Sequence, residues 1–599
     1  MDLKTLRALK PAEFEGAADG YRALADMAQS AKDQIESGVI TGMRKAGLKG
    51  EALDAALGEI RELAKNFQYT QVECGVISTA LNGFAFDLAA AKQKLDAALS
   101  DAEARKFSVN DDGTVTYPAG PDKVDGKIPE GGSARSSGID HPVSYGIARQ
   151  AAYIDPNPYA GPAYDIAVQI TRALAEATAA DGKWAPKLRA LKADDDLTVS
   201  ARDWTDTTAD TGGVREAAGT YLATIEGAPK DASPARNAEW WRGLTDEERN
   251  ALISMNPAGI GALDGLPSDV RDEANRTVLA QKQGEYRLSL SQIPPAPENK
   301  YTWINGGRLP VKVRTDEYQD WYKKYGKDHE RLTKALKGMD RIDERFGDTG
   351  TQGLPQAYLL GFSPEGDGRA IVANGNPDTA DHTAVYVPGT GASLEKAGGD
   401  ISRMTTMWEA ANTAAKGQSV ATITWIGYDA PDHPVKDAPF SHYANDAAPA
   451  LNRFLDGIDS SRTAEGPGHT TVIGHSYGST VIGSAARQGD LNADDVVVAG
   501  SPGMQVGKAE ELDVPKGRVW NQEAPGDIVP DIGGFSHGGV QIIGNHVASG
   551  IVPSDGLFGA NQMTTDTRDH SDYWKAGTRS LQNQAEVVVG NYGNVKLED

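Results

Sequence analysis

The hydrophobic pattern of the chain has a helical period in its first part and a strand period in its last part. Between residues 11 and 99, apolar side chains recur every three or four positions, and Gly47 and Gly50 divide this pattern in two. The second segment, 60–95, keeps alternating steps of three and four throughout. This spacing predicts a long helix that packs along one seam, as in a helical hairpin, with Cys74 as a small apolar member of the seam.

The segment that follows the first helices is predicted to be small and partly irregular. Residues 107–118 predict a hairpin with an Asp-Gly turn, and residues 119–146, rich in Gly, Pro and Ser, predict a linker. A further helix is expected at about 163–180. The acidic cluster 194–196 lacks the ligand spacing of a calcium loop and is expected to be a solvated turn.

A second helical block is predicted from residue 236 to residue 347. Thr245 and Glu248 have the spacing of a capping box, and Ser268 is expected to cap the next helix. The pair Trp240-Trp241 is expected to anchor one domain against the next rather than to form a binding surface.

From residue 354 onwards, short apolar strands alternate with helix-length segments. Two of them flank a Pro-Glu-Gly-Asp-Gly turn and predict an antiparallel hairpin. The later strands are apolar on both faces, and they cover 383–387, 419–426, 470–473, 495–499 and 517–521. Such strands predict a mostly parallel sheet with helices on both sides. The pattern thus predicts four domains: 1–105, 106–232, 233–350 and 351–599.

The composition excludes some classes of function. The 599 residues carry a formal net charge of −24, so nucleic-acid or anionic-membrane binding, which needs a basic surface, is not expected. Cys74 is the one cysteine, so an internal disulfide and a cysteine-based zinc cluster are ruled out. The N-terminus lacks the apolar core of a signal peptide, and no membrane span is predicted. We expect a cytoplasmic protein, or one that is exported without a conventional signal peptide.

The strongest chemical signal is the pentapeptide Gly474-His475-Ser476-Tyr477-Gly478. A β-branched run precedes it and a helix rich in small residues follows it, which is the strand–turn–helix context of a nucleophile elbow. The two glycines are expected because a Cβ at either position would collide with the neighbouring strand or helix. Ser476 is therefore the predicted nucleophile.

A serine nucleophile needs a base and a carboxylate that orients the base. When a serine elbow follows a strand of such a mostly parallel sheet, the acid and the base both come after the serine along the chain, and the acid comes first. Asp527, just after the strand 517–521, is the predicted acid, and Asp531 and Glu523 are its competitors.

His570, at the start of a final helix predicted over 571–588, is the predicted base. His537 is the second choice, because it lies in a Gly-rich stretch predicted to be a flexible loop. His546 lies in the same insert.

An oxyanion hole is predicted from two backbone N–H groups. One belongs to Tyr477, directly after the nucleophile, and the other to Gly389 or Thr390 in the loop after strand 383–387. That loop lacks the Gly-Lys-Ser/Thr ending of a phosphate-binding Walker motif. His475 is expected to pack or bond locally rather than act as the base. This chemistry requires no metal and no organic cofactor.

Residues 236–599 resemble an actinobacterial group of α/β-hydrolases of uncharacterised function that carry a helical N-terminal region. The stretches that carry the resemblance are Trp240-Trp241, Asn256-Pro257, Gly265-Leu266-Pro267, Arg271, Asn275-Arg276, Val387-Pro388-Gly389-Thr390, 425–431, 474–479, Gly500-Ser501-Pro502-Gly503 and 570–574. The resemblance implies an α/β-hydrolase fold after a long all-α N-terminal region, and it supports Ser476 and His570. It supplies no substrate.

These features predict a serine hydrolase that cleaves a small-molecule carboxylic ester through an acyl-enzyme. A peptidase or a thioesterase would use the same residues. A different function is suggested by the long helical seam, which favours a helical partner or self-association through residues 1–105. Phe14-Glu15-Gly16-Ala17-Ala18 loosely resembles the Trp-x-Gly-x-x-Ala segment of small exported helical-hairpin proteins, with Phe14 in place of the Trp. The helices are also candidates for a lid over the site.

Overall fold

The computed structural model describes residues 1–47, 50–136, 142–191, 198–306, 309–464, 466, 468–544 and 546–598. The acidic cluster 194–196 lies outside these residues. The described part of the chain forms an N-terminal helical region followed by an eight-stranded sheet.

The first helices form a long antiparallel arrangement, as the seam predicted. They are α1 (Leu3–Ala8), α2 (Pro11–Asp33), α3 (Thr41–Lys45) and α4 (Glu51–Ala104), with a π-helix at Gln34–Ile40. Seam residues of α4 such as Leu88 and Leu95 are fully buried. Among the described residues, α4 alone is long and apolar enough to cross a membrane, and 67% of its most apolar stretch is buried inside the protein.

The predicted linker 119–146 is partly wrong. The elements of this region are β1 (Ser108–Val109), β2 (Val115–Tyr117), β3 (Gly132–Ala134), α5 (Pro142–Tyr153), α6 (Ala160–Ala190), α7 (Ala201–Ala217) and α8 (Gly219–Leu222). Strand β3 pairs antiparallel with β2 and extends the predicted hairpin to three strands. Asn157 Nδ2 donates to the carbonyls of Pro118 and Glu130, at 2.9 Å each, and so fixes both ends of the connection. The helix expected at 163–180 lies within α6.

The second helical block contains one hairpin that the pattern did not predict. Its elements are α9 (Pro234–Gly243), α10 (Asp246–Met255), α11 (Pro257–Gly261), α12 (Ser268–Ser291), β4 (Tyr301–Asn305), β5 (Pro310–Arg314), α13 (Asp316–Trp321) and α14 (Lys327–Gly347), with a π-helix at Tyr322–Gly326. The capping box of Thr245 and Glu248 is confirmed. The expected cap at Ser268 is wrong, because its hydroxyl donates to Asp378 Oδ1 at 2.8 Å and the residue lies inside α12.

Most of the helices before residue 275 contribute to one hydrophobic core, which extends from Leu3 to Ala274, and Ile35, Ile40, Leu57 and Ala64 form a separate smaller cluster. Trp240 and Trp241 are buried in this core with ring centroids 5.8 Å apart. Their burial among helices agrees with a packing role for the pair.

The part of the chain from residue 354 onwards is built on a mixed sheet. Its strands are β6 (Ala357–Ser363), β7 (Arg369–Asn374), β8 (His382–Val387), β9 (Val420–Ile426), β10 (His469–His475), β11 (Asp495–Ala499), β12 (Val519–Gln522), β13 (Gly539–Ile543), β14 (His546–Ile551) and β15 (Asn561–Gln562). The sheet order is β15-β12-β11-β10-β8-β9-β7-β6, and β13 with β14 forms a separate hairpin. Neighbours from β15 to β9 are parallel, whereas β7 pairs antiparallel with β9 and β6. The predicted α/β-hydrolase fold class is confirmed.

In the described residues after β6, the α-helices are α15 (Ala397–Ala414), α16 (His442–Ser461), α17 (Tyr477–Gln488), α18 (Val529–His537) and α19 (Arg579–Val588). One core lies between the sheet, α16 and α17, and another lies between the sheet, α15 and α19. The final helix was predicted over 571–588 but begins only at Arg579, where the Thr578 side chain accepts from the N–H of Leu581. His570 is therefore held by a turn segment rather than by a helix start.

The outer edge of β6 is covered by side chains of α12. The N–H of Leu359 donates to Asp272 Oδ1 at 2.6 Å, and Asn275 Nδ2 donates to the carbonyl of Leu359 at 2.9 Å. Arg276 donates to the carbonyl of Ala357 at 2.9 Å and also contacts Glu36 at the end of the α2 region at 3.2 Å. These bonds join the helical region to the sheet.

Candidate active site

Ser476 lies in a sharp turn between β10 and α17. Its backbone φ of 53° and ψ of −129° fall in a region that residues with a side chain rarely adopt. The N–H of Ser476 donates to the carbonyl of Ala499 on β11 at 3.0 Å, which ties the turn to the neighbouring strand. Ser476 is half-buried, and within the described residues no hydrogen bond joins its hydroxyl to His570, whose Nδ1 is bonded to Asp527.

The two glycines around Ser476 allow this close packing. A Cβ at Gly474 would lie 2.7 Å from the Cα of Ser479, and one at Gly478 would overlap the carbonyl of Val387 on β8. The expectation that a side chain at either position would collide with a neighbouring element is confirmed.

Ser476 and His570 line one cavity of about 620 Å³ at the carboxyl ends of the parallel strands. This volume is in the range of small-molecule sites. The lining residues described by the structure all lie between Pro388 and Ser571, and they include Thr390, Pro439, Ile532 and Ser536. The N-terminal helices therefore contribute no lining residue, contrary to the expectation of a helical lid from that region.

The structure brings the predicted acid and base together. His570 Nδ1 donates to Asp527 Oδ2 at 2.7 Å. The Asp527 side chain is fully buried, whereas 29% of the His570 side chain is exposed. Because Nδ1 is engaged by the carboxylate, Nε2 is the imidazole nitrogen that remains for a second proton transfer partner.

Asp527 is held as a carboxylate by three hydrogen bonds. Burial alone raises its pKa, but donation from His570, from the Tyr573 hydroxyl at 2.7 Å and from the Val529 N–H at 3.0 Å outweighs burial and leaves the pKa below its usual value. Tyr573 Oη in turn accepts from the N–H of Ala524 at 2.9 Å. Tyr573 is a supporting residue that sequence reasoning did not assign to the site, although it belongs to the stretch 570–574.

A second residue that sequence reasoning missed is Gly500, directly after β11. It has a φ of +59°, and a Cβ there would lie 2.8 Å from His570 Nδ1 and closer still to Asp527 Oδ2. The bond between the acid and the base therefore needs a glycine at this position. The sequence did offer one hint of this role: Gly500 directly follows β11, the strand that pairs with β10 ahead of Ser476.

The other candidates for acid and base are not part of the Asp527–His570 pair, although His537 lines the same cavity. Asp531 is in the first turn of α18, and burial raises the pKa of Glu523. His546 is on β14. The loop predicted around His537 is wrong, since this residue ends α18 and is buried. Its Nε2 donates to the carbonyl of Ala438 at 2.6 Å, and burial lowers its pKa.

His475 supports His570 from behind. Its Nε2 lies 2.8 Å from the carbonyl oxygen of His570, and the two rings are 4.7 Å apart. Burial, with smaller contributions from His570 and Arg403, lowers the pKa of His475 to about 3. The imidazole is therefore neutral at pH 7 and donates through Nε2. The expectation that His475 bonds locally is confirmed.

The predicted oxyanion loop lies beside Ser476. A Cβ at Gly389 would be 2.8 Å from Ser476 Cβ and 3.2 Å from the backbone nitrogen of Tyr477. Tyr477 is the first residue of α17, and an N–H at this position has no partner inside the helix. Thr390 lines the cavity.

Comparison with known proteins places the C-terminal part of the chain in a family. A family model described as Alpha/beta hydrolase matches residues 363–536, a range that contains Ser476 and Asp527. Uncharacterized protein Mb0988c of Mycobacterium bovis is 32% identical over 226 residues, which is 35% of this chain and 84% of that protein. The chain belongs to the alpha/beta hydrolase family.

Uncharacterized protein Rv2079 of Mycobacterium tuberculosis is 30% identical to this alpha/beta hydrolase over 387 residues, or 59% of the chain. The chain spans 55% of the length of that relative. The names of both relatives describe no substrate.

The cavity of this alpha/beta hydrolase also contains charged groups. Arg403 Nη1 donates to Asp400 Oδ1 at 2.7 Å, and Lys396 lies at the edge of the cavity next to Gly391. Within the described ranges, no three His, Cys, Asp or Glu side chains are grouped so that they could hold a metal ion.

Proposed function

We propose that the protein is a serine hydrolase that cleaves a carboxylic ester through an acyl-enzyme. The observation that carries this proposal is the Asp527–His570 hydrogen bond of 2.7 Å beside a cavity that Ser476 also lines. The alpha/beta hydrolase family model over 363–536 supports hydrolysis as the class of reaction.

In the first half of the proposed reaction, Ser476 Oγ attacks the ester carbonyl carbon while His570 Nε2 takes the hydroxyl proton. The carbonyl π electrons move to oxygen and then re-form the double bond as the bond to the alcohol oxygen breaks. His570 gives its proton to the departing alcohol. Water then attacks the acyl carbon while His570 Nε2 takes a proton from it; the bond from the acyl carbon to Ser476 Oγ breaks, His570 returns the proton to Ser476 Oγ, and the acid product leaves.

Asp527 keeps His570 in the tautomer with the proton on Nδ1, and its charge stabilises the imidazolium that forms in each half-reaction. The backbone N–H groups of Tyr477 and Thr390 are the proposed donors to the oxyanion, with Gly389 giving the loop its close approach to Ser476. His475 is neutral, so it adds no positive charge next to the imidazolium.

A fluorophosphonate probe tests this proposal directly. We expect the full-length protein to be labelled covalently on Ser476 and the Ser476→Ala variant to stay unlabelled. Ser536→Ala is a matched control, because Ser536 is another hydroxyl that lines the same cavity, and it should be labelled as the wild type is. A wild-type protein that takes no label, or label that persists in Ser476→Ala, contradicts the proposal.

The preferred leaving group is measured with one acyl group presented as an ester, a thioester and an amide. We expect kcat/KM to be highest for the ester and the Ser476→Ala variant to be inactive on all three. If kcat/KM is higher for the thioester or for the amide, that bond type replaces the ester as the proposed substrate.

A further inference from the structure

Large apolar side chains surround the mouth of the cavity and are exposed to solvent. Ile532 and Phe535 lie on one face of α18, and Ile528, the residue just before this helix, lies on the same face because the three are spaced four and three residues apart. Val435 and Phe440 lie on the segment between β9 and α16, which is joined to α18 by the hydrogen bond between His537 and Ala438. We call these five residues the mouth patch.

The exposure of the mouth patch is unusually high for residues of this size. Phe535 is 95% exposed and Val435 is 76% exposed. Single exposed apolar side chains are ordinary in proteins, but a group of them on one surface marks a binding site. Because the Phe535 side chain is hardly buried, it contributes almost no hydrophobic stabilisation to the fold, and its apolar surface can contact a lipid or another ligand.

The mouth patch is continuous with the lining of the cavity. Ile532 belongs to both, since it is exposed and also lines the cavity. Pro434 and Pro439 line the cavity and are the direct neighbours of Val435 and Phe440. An apolar chain that leaves a lipid phase at the patch therefore meets apolar side chains at the entrance to the cavity that Ser476 lines.

The charge of the protein selects the kind of surface that fits. The chain carries a net charge of −24, and Asp432, Asp437 and Asp531 lie in the segments that carry the mouth patch, with Lys436 as a nearby cation. These carboxylates repel anionic headgroups. A lipid surface without net charge does not repel these carboxylates, and the apolar side chains can insert into it.

We propose that the mouth patch docks onto a zwitterionic or uncharged lipid surface, and that the substrate of the site is a water-insoluble lipid ester taken from it. The choice of substrate rests on the proposed hydrolase function, whereas the docking does not require catalysis. Hydrolysis consumes one water and releases a fatty acid and an alcohol through the steps given above.

Docking is tested by flotation of the full-length Ser476→Ala protein with phosphatidylcholine vesicles. We expect this protein to float with the vesicles. Adding Val435→Ser and Phe535→Ser should weaken binding by about tenfold or more, because two large apolar side chains no longer enter the lipid. The matched control adds Val143→Ser and Trp303→Ser instead, at residues that are 75% and 67% exposed on α5 and β4, and should bind as before.

The substrate is tested with active protein and two esters. On emulsified p-nitrophenyl palmitate, the Val435→Ser, Phe535→Ser variant should be about tenfold slower than the wild type or worse. On dissolved p-nitrophenyl acetate it should keep the wild-type rate, since neither residue lines the cavity.

Three results would overturn the docking proposal. They are no flotation of the Ser476→Ala protein, equal flotation of the mouth-patch variant, and a wild-type dimer that becomes a monomer in that variant, which would assign the patch to a second copy of the chain. If flotation succeeds while the fluorophosphonate probe labels nothing, the hydrolase proposal fails and the docking stands.

Discussion

The carbonyl of His570 accepts a hydrogen bond of 2.8 Å from Nε2 of His475, the residue directly before Ser476. A hydrogen bond from side chain to backbone thus joins the turn that carries Ser476 to the segment that carries the candidate base. The bond uses the Nε2–H of a neutral imidazole, and burial keeps His475 neutral by lowering its pKa to about 3.

A neutral buried histidine makes stability depend on pH. Below about pH 6.5 the unfolded chain protonates His475 and the folded protein does not, so stability falls as pH decreases towards the folded pKa of about 3. The slope from this residue is about 1.4 kcal/mol per pH unit. His475→Gln keeps a donor for the carbonyl of His570 and should remove that slope, as measured by urea midpoints between pH 4 and 7. Equal slopes in the two proteins would show that His475 is not responsible.

The carboxylate of Asp527 is expected to act on catalysis through His570. Asp527→Asn should lower kcat for ester hydrolysis by about 10³- to 10⁴-fold, because the amide can hold the imidazole in the wrong tautomer. Asp531→Asn, at the competing carboxylate on α18, should stay within about threefold of the wild type. A larger effect at Asp531 than at Asp527 would reverse the assignment.

Gly500 is expected to be essential for the contact between acid and base. In Gly500→Ala the new Cβ would overlap Asp527 Oδ2, so the pair must separate. We expect kcat to fall by about 100-fold or more, from misplacement of the base. The matched control is Gly366→Ala, which has a similar φ of +63° but no atom within 4 Å of the added Cβ. The control shares the backbone strain, so comparable losses of activity in both variants would mean that strain, rather than the overlap, is the cause.

Tyr573 is expected to position Asp527, because its hydroxyl donates to Oδ2. Tyr573→Phe removes the hydroxyl that donates to Oδ2 and leaves the N–H of Ala524 without its acceptor, which should cost about 1–3 kcal/mol of folding stability. The lost donation also raises the pKa of Asp527, so the acidic limb of the kcat profile should move to higher pH. A stability loss with an unchanged pH profile would assign Tyr573 a structural role alone.

Much of the sheet could be predicted from the sequence because its central strands are apolar on both faces. The order of residues along the chain then pointed to Asp527 and His570, which are hydrogen-bonded to each other in the structure. Gly500 and Tyr573 could not be assigned to the pair, because they reach it through packing between distant segments. The Gly-rich stretch before His537 predicted a flexible loop, but these glycines permit close contact instead: a Cβ at Gly533 would overlap Pro502.

The side chains that α12 places along β6 have a consequence for how the protein behaves at high concentration. An open strand at the side of a sheet presents free N–H and carbonyl groups that can recruit a strand from another molecule. Asp272, Asn275 and Arg276 occupy these groups at Ala357 and Leu359. This helix therefore protects the hydrolase sheet from edge-to-edge aggregation, and a shortened chain that lacks it would expose a template for fibre-like association.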